Sequence, residues 1–276
     1  MGESRGLRFL YHTAPGRTVL RALSGRVVSR LCGRFLDSPL SRPLIGPFVR
    51  KNGIRLSDYV PQVYPSFNAF FTRPIRPELR PFPQDPAALA APCDGLLSVY
   101  PVEDGAVLPV KQSAYTIGDL LGGDPLAAGY AGGYCLVFRL CVDHYHRYCY
   151  LDSGRKGGNR FLPGRLHTVR PIALEAYPVF TQNCREYTVL ETDHFGSVVQ
   201  VEVGAMLVGR IENLHGPGPI TRGAEKGRFL YGGSTIILLL PPGRVRLTPA
   251  LLENTRRGVE TPVRMGQVLG HACLEA

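Results

Sequence analysis

The chain has 276 residues, 44% of them hydrophobic, with 32 glycines and 24 prolines. That content can bury a full core and excludes a disordered or low-complexity chain, and so much glycine and proline suits short strands joined by turns better than a helical bundle. The net charge of +10 is uneven: residues 1–51 hold ten Lys and Arg against two acids, Glu3 and Asp37, so eight of the ten net charges sit in one segment, the pattern of a surface meeting an anionic membrane or nucleic acid.

Seven cysteines, at 32, 93, 135, 141, 149, 184 and 273, are odd in number and form no CxxC pair. They read as reduced thiols of a cytosolic environment, which argues against a disulfide framework. The N-terminus has no uninterrupted apolar stretch of the signal-peptide kind. No apolar run approaches the roughly 18–20 residues of a membrane-spanning helix, so contact with a membrane is expected from one side only.

In chain order, the apolar positions Val19/Leu20, Leu23, Val27/Val28, Leu31 and Phe35/Leu36 recur every three to four residues, the spacing of one helix face over about residues 17–36. Arg17 and Arg21, then Arg30 and Arg34, fall four apart beside it. Such a basic amphipathic helix can lie in a bilayer interface or pack on the domain with a solvated basic face. Gly25 and Gly33 weaken it. A second short helix is expected over Leu44–Lys51. From about Ala90 the pattern turns to strands: Gly95–Val102, Tyr134–Val142, Ser197–Val203, Met206–Ile211 and Thr235–Leu240 are β-branched or aromatic and bounded by Gly, Pro or Asp. Short helices are expected near Ile117–Leu121 and Ile172–Phe180. The fold class is therefore α+β: basic amphipathic helices over 1–60, then a mainly antiparallel, barrel- or sandwich-like β domain over 61–276.

Several segments could carry chemistry. Tyr231-Gly-Gly-Ser234-Thr reads first as a glycine turn entering a buried strand. A serine after glycine in a tight turn can also bring its hydroxyl onto the preceding carbonyl and shift the acyl group from nitrogen to oxygen, given a base to activate it. On a strand His144 and His146 would project from one face. With Asp143 and Cys149 nearby they suggest a metal pair, but no further ligand at a recognisable spacing completes the set, and no metal is expected. Asp94 stands at a turn before a strand, and His167 lies in an apolar segment where a buried, satisfied histidine is the default.

Taken together and in order, these segments resemble the phosphatidylserine decarboxylase family. The matching stretches are Ser66-Phe-Asn-Ala-Phe-Phe-Thr-Arg73, Pro92-Cys-Asp94-Gly95, Val110-Lys-Gln-Ser-Ala-Tyr115 with Leu120-Leu121, Tyr145-His146-Arg147, Val203-Gly-Ala-Met-Leu-Val-Gly209, Glu225-Lys-Gly227, Gly232-Gly-Ser234-Thr and Met265-Gly-Gln-Val-Leu-Gly270. The resemblance implies self-cleavage between Gly233 and Ser234 into a large chain, 1–233, and a small chain, 234–276. Ser234 would become a covalent pyruvoyl group, with no added cofactor. Asp94 would belong to an Asp/His/Ser relay for the cleavage, and His146 would be the acid/base of decarboxylation. Phosphatidylserine in an anionic membrane would be the partner, at the cytoplasmic face of the cell membrane, and nucleic acid would not. A homodimer stays open.

One departure matters. Many members carry a second histidine, assigned to the relay, where this chain has Cys149; His167, on an expected neighbouring strand, is the candidate to supply that imidazole, and a role for His144 stays open. The alternatives are a membrane-bound homologue that no longer processes itself and a metal-binding β-barrel protein.

Overall fold

The computed structural model describes residues 5–103, 107–110, 113–205, 210–232 and 234–273. The expected strand from Met206 and the cleavage-site residue Gly233 therefore fall wholly or partly outside the described residues; Ile211–Asn213 is a strand.

Three helices open the chain: α1 (Arg5–His12), α2 (Ala14–Leu23) and α3 (Arg26–Asp37). The single helix expected over 17–36 is thus two. The Ser24 N–H closes α2 on the Leu20 and Ala22 carbonyls, and Gly25 restarts the chain in extended geometry (φ −75°, ψ 147°). The apolar periodicity divides with it. Leu20 and Leu36 point inward, whereas Val27 (68% exposed), Leu31 (59%) and Phe35 (46%) face outward. Tyr11 and Leu20 join a core cluster of the β domain, and the Tyr11 hydroxyl accepts a hydrogen bond from the Thr168 N–H at 3.2 Å. The N-terminal segment is docked on the domain.

Five long strands make the centre: β1 (Gly95–Pro101), β2 (Tyr134–Leu140), β3 (Arg185–Thr192), β4 (Gly196–Val203) and β5 (Ser234–Leu240). They lie side by side in the order β3–β4–β5–β2–β1, every pair antiparallel. Short strands Gly154–Lys156 and Gly218–Ile220 extend the β3 edge, and Thr261–Val263 the β1 edge. Among the described residues these edges do not meet, so the sheet is no closed barrel. The helix expected over 172–180 is two short ones, Pro171–Ala176 and Val179–Gln182, because Pro178 cannot donate to a continuing helix.

β5 is buried along its whole length. Ile237 and Leu239 enter one core cluster with Val199 and Val201, while Ile236, Leu238 and Leu240 enter another with Leu136 and Phe138. Strand alternation delivers neighbouring residues to opposite faces, and each buried Leu or Ile contributes roughly 1.5–3 kcal/mol.

One fully buried ion pair fastens β4 to the strand Glu225–Phe229. Lys226 Nζ donates to Glu202 Oε1 and to Asn213 Oδ1, both at 2.7 Å, with neither charged side chain exposed. Burial raises the Glu202 pKa, and the Lys226 charge opposes the rise. Removing one partner strands the other charge, so Lys226→Ala should cost about 3–5 kcal/mol in urea unfolding. Adding Glu202→Leu should recover much of that loss.

Candidate active site

Ser234 opens β5. Leading into it, Gly232 has φ 132°, a conformation that a side chain would strain. The turn is anchored from the N-terminal side. The Tyr231 N–H donates to Asn68 Oδ1 at 3.0 Å, and the Tyr231 ring meets Phe67 and Phe71 edge-on, with centroids 5.0 and 5.2 Å apart. Asn68 itself donates to Asp37 at 2.8 Å. The Phe67–Phe71 helix, capped by Ser66, is therefore the clamp on the serine turn.

The Ser234 hydroxyl is fully buried and has no hydrogen-bond partner among the described residues, an arrangement that costs on the order of 1–3 kcal/mol. Ser234 pairs with Leu140, and directly paired residues share a face of a sheet. Leu140 belongs to the core cluster that also holds Cys93, Tyr148 and Phe229. The Ser234 side chain thus faces the side on which the Asp94 turn and Cys149 lie.

The histidine pair is not on a strand. β2 ends at Leu140 and the next strand begins at Arg147; between them the chain turns. His144 Nδ1 accepts the Cys141 N–H at 3.2 Å, and the His146 Nδ1 lies 2.9 Å from the His144 carbonyl. That contact makes Nδ1 of His146 the protonated nitrogen and leaves Nε2 a bare lone pair, buried without a partner. The ring packs 4.3 Å from Phe71 and next to the Gly232 backbone, which opposes the fall in its pKa without closing a hydrogen bond on Nε2. Burial holds the His146 pKa down at about 3. Arg73 adds to this: buried and stacked 3.9 Å over Tyr59, it sets a positive charge near the ring.

Asp94 is gripped by Arg80, whose Nε donates at 2.7 Å, and by the Met265 N–H at 2.9 Å. Burial lowers the His144 pKa; Asp143 and then Asp94 are the charges that raise it. Cys149 is beside this turn. Its N–H and its thiol both point at the Pro92 carbonyl, at 2.9 and 3.3 Å, and burial pushes the thiol well above its ordinary pKa. Held protonated, it is a poor base.

His167 is elsewhere. It lies past an isolated bridge between Arg165 and Asn183, in irregular chain, where a neighbouring strand was expected. Its ring stacks on Tyr177 (4.6 Å, 15°) near Tyr11, which belongs to the opposite core cluster. Asn183 holds its backbone through both amide groups, at 2.8 and 2.9 Å. Burial lowers its pKa to about 4. Among the described residues it has no contact with Ser234 or Asp94.

His144, His146 and Cys149, the ligands of the alternative metal-binding reading, form no ligand cluster among the described residues. Cys141, Asp143 and His144 do bring ligand atoms within 4.8 Å of one another, but Arg139 Nη1 donates to the Cys141 sulfur at 3.3 Å, where a cation would sit. Sequence reasoning missed Arg80, which no spacing ties to Asp94, and the anchoring of Tyr231 by Asn68, although Asn68 lies inside a stretch already singled out. A cavity of about 470 Å³ lies against the turn, bounded by α3, Asn68 and Tyr231.

Comparison with known proteins follows the same outline. The family model described as phosphatidylserine decarboxylase matches residues 67–271. A phosphatidylserine decarboxylase proenzyme 2 of Clostridium acetobutylicum is 42% identical over 96% of this chain and 91% of its own length. Phosphatidylserine decarboxylase proenzymes of Ruminiclostridium cellulolyticum and Chlamydia muridarum are 38% and 37% identical, over 98% and 97% of this chain and 92% and 91% of their own.

The folded protein resists protonating His146 below pH 6.5, where the unfolded chain accepts the proton. The stability this ring contributes is complete above pH 6.5 and is lost as pH falls toward about 3. His146→Phe should accordingly lose about 1.4 kcal/mol less than the wild type per pH unit across that window, measured as urea unfolding free energy at pH 6.5, 5.5 and 4.5.

Proposed function

The chain belongs to the phosphatidylserine decarboxylase family and is a carboxy-lyase, and from that premise we propose that it is made as a proenzyme, splits itself between Gly233 and Ser234, and decarboxylates phosphatidylserine to phosphatidylethanolamine and CO2. The observation that carries this reading is the buried, unpartnered Ser234 hydroxyl behind a positive-φ glycine, with the bare Nε2 of His146 beside the same turn.

In the proposed maturation a base takes the Oγ proton and Oγ adds to the Gly233 carbonyl carbon. The Gly233–Ser234 C–N bond breaks, leaving an ester. Loss of the Ser234 Cα proton then breaks the Cβ–O bond, frees the Gly233 carboxylate and leaves dehydroalanine. Water adds, ammonia leaves, and the small chain starts with a pyruvoyl group. That group supplies an electron sink for the bond to the departing carboxylate. The residues present fit it: the site is water-poor, and His146 stands next to the turn with one nitrogen fixed and the other free.

His146 is the proton donor of this reading. In the empty protein its low pKa keeps it neutral. An anionic headgroup beside the ring opposes that depression and favours the charged form of the ring. For the splitting step the pleat and the charge of Asp94 favour His144, which lies in the turn after the strand residue that pairs with Ser234. His167, on the other face, is the competing candidate.

Intact mass under denaturing conditions tests the scheme. The wild type should give fragments 1–233 and 234–276, and Ser234→Ala one intact chain. His144→Ala should slow splitting about 100-fold or more, while His167→Ala and Cys149→Ala split normally. A stalled His167→Ala beside a normal His144→Ala would return the base to His167. A wild type that stays whole and carries stoichiometric metal would sink the decarboxylase reading.

The α3 row of Val27, Leu31 and Phe35 continues into Leu40, 77% exposed, amid arginines, which supports peripheral attachment to the cytoplasmic face of an anionic membrane. Among the described residues no helix is long and apolar enough to cross one. Because Tyr11 and Leu20 belong to the core, point changes test this better than truncation. Leu31→Glu with Phe35→Glu should lose sedimentation with phosphatidylglycerol vesicles while still splitting; undiminished sedimentation would refute the attachment.

A further inference from the structure

We infer that Arg30 and Arg34 form a subsite for the phosphodiester of the lipid substrate, at the mouth of the cavity that lies against Tyr231. The inference rests on the decarboxylase reading and adds to it where the substrate is gripped.

The cavity is bounded on one side by Arg30, Gly33 and Arg34 of α3 and on the other by Asn68, Arg210 and Tyr231. Tyr231 is the residue that Asn68 anchors ahead of the serine turn, so the cavity abuts the reacting segment. Its charges are unequally spent. Arg210 is paired with Asp37 at 3.1 Å and with Glu212 at 2.6 Å, and the other Asp37 oxygen accepts from Asn68. Arg30 and Arg34 have no carboxylate partner among the described residues. They stand one helical turn apart, close enough for both to reach one anion.

Their position around α3 gives the ligand an orientation. At 100° per residue, Gly33 lies on one side of the Arg30–Arg34 row and the exposed row Val27, Leu31 and Phe35 on the other. Across the helix the order is cavity, guanidinium groups, exposed apolar surface. Along a phosphatidylserine molecule the order is serine, phosphate, acyl chains. The two sequences match end to end: serine enters the cavity toward the turn, phosphate meets the arginines, and the chains stay in the bilayer along the apolar row. The passage beside Gly33 is open space, since a Cβ built there meets nothing within 4 Å.

The inference separates from general attraction to a membrane when no membrane is present. With monomeric dihexanoyl-phosphatidylserine, Arg30→Gln and Arg34→Gln should each raise KM about tenfold, with a much smaller fall in kcat. Gly33→Leu, which suits a helix and fills the passage, should raise KM likewise. Splitting of each variant into two chains reports that it has folded. In calorimetry on the full-length Ser234→Ala chain, glycerophosphoserine should bind, free serine should not, and the double arginine variant should lose the heat. Unchanged KM on monomers, with only vesicle binding weakened, would overturn the subsite and leave the arginines as membrane attractors. If the wild type neither splits nor decarboxylates, the decarboxylase reading fails, and the calorimetry still decides whether the arginines hold a phosphodiester.

Discussion

The double-sided burial of the strand Ser234–Leu240 is the constraint on which the rest depends. Flanked by strands on both edges and packed on both faces, it fixes its own first residue with the precision of the core. A serine there cannot reach water, and its hydroxyl has no partner among the described residues. The same strand that anchors two core clusters therefore positions Ser234, the nucleophile of the proposed splitting, and the glycine turn ahead of it supplies the backbone freedom that the strand lacks. Rigidity after the bond and glycine freedom before it suit the proposed splitting at that point.

Burial also sets the chemistry of the surrounding groups. The His146 ring is held neutral, the Cys149 thiol is held protonated, and Asp94 keeps its carboxylate within the grip of Arg80 and a backbone N–H. Of the two imidazoles it is His144 whose protonated form the Asp94 charge favours, after that of Asp143. The site is thus poised with neutral imidazoles and one clamped carboxylate, an environment in which the arrival of an anionic headgroup changes protonation more than it would at a wet surface.

The N-terminal helices serve both sides of the protein. Tyr11 and Leu20 extend the core, Asp37 braces Asn68 and so the serine turn, and the opposite face of α3 offers apolar side chains and arginines to the exterior. One helix thereby joins the exposed apolar and basic surface, the proposed lipid-facing side, to the wall of the cavity.

Much was legible in the sequence. Strand alternation and turn residues located four of the five long strands to within two residues, because those signals are local; the fifth, Arg185–Thr192, whose charged and polar residues interrupt the apolar pattern, was not among the expected strands. The motifs pointed to Ser234, Asp94 and His146, because the residue types that chemistry requires are few. What the sequence could not carry was the side on which each group lies. A period-2 reading put His144 and His146 on a strand, whereas a turn held by the Cys141 N–H took them off it. Cys149 at the place of the relay histidine suggested His167, on an expected neighbouring strand, as the substitute imidazole, whereas His167 lies in irregular chain with its ring against Tyr177 and Tyr11. The expected single helix over 17–36 broke at Ser24–Gly25, which sent Leu20 inward and Leu31 outward from one periodic stripe. By itself the sequence determined which groups could react and which segments would fold into strands, since both follow from residue type and short-range spacing. Only the tertiary structure decided which groups meet, since facing depends on strand register and on contacts between residues far apart in the chain, such as Asn68 with Tyr231 and Arg80 with Asp94.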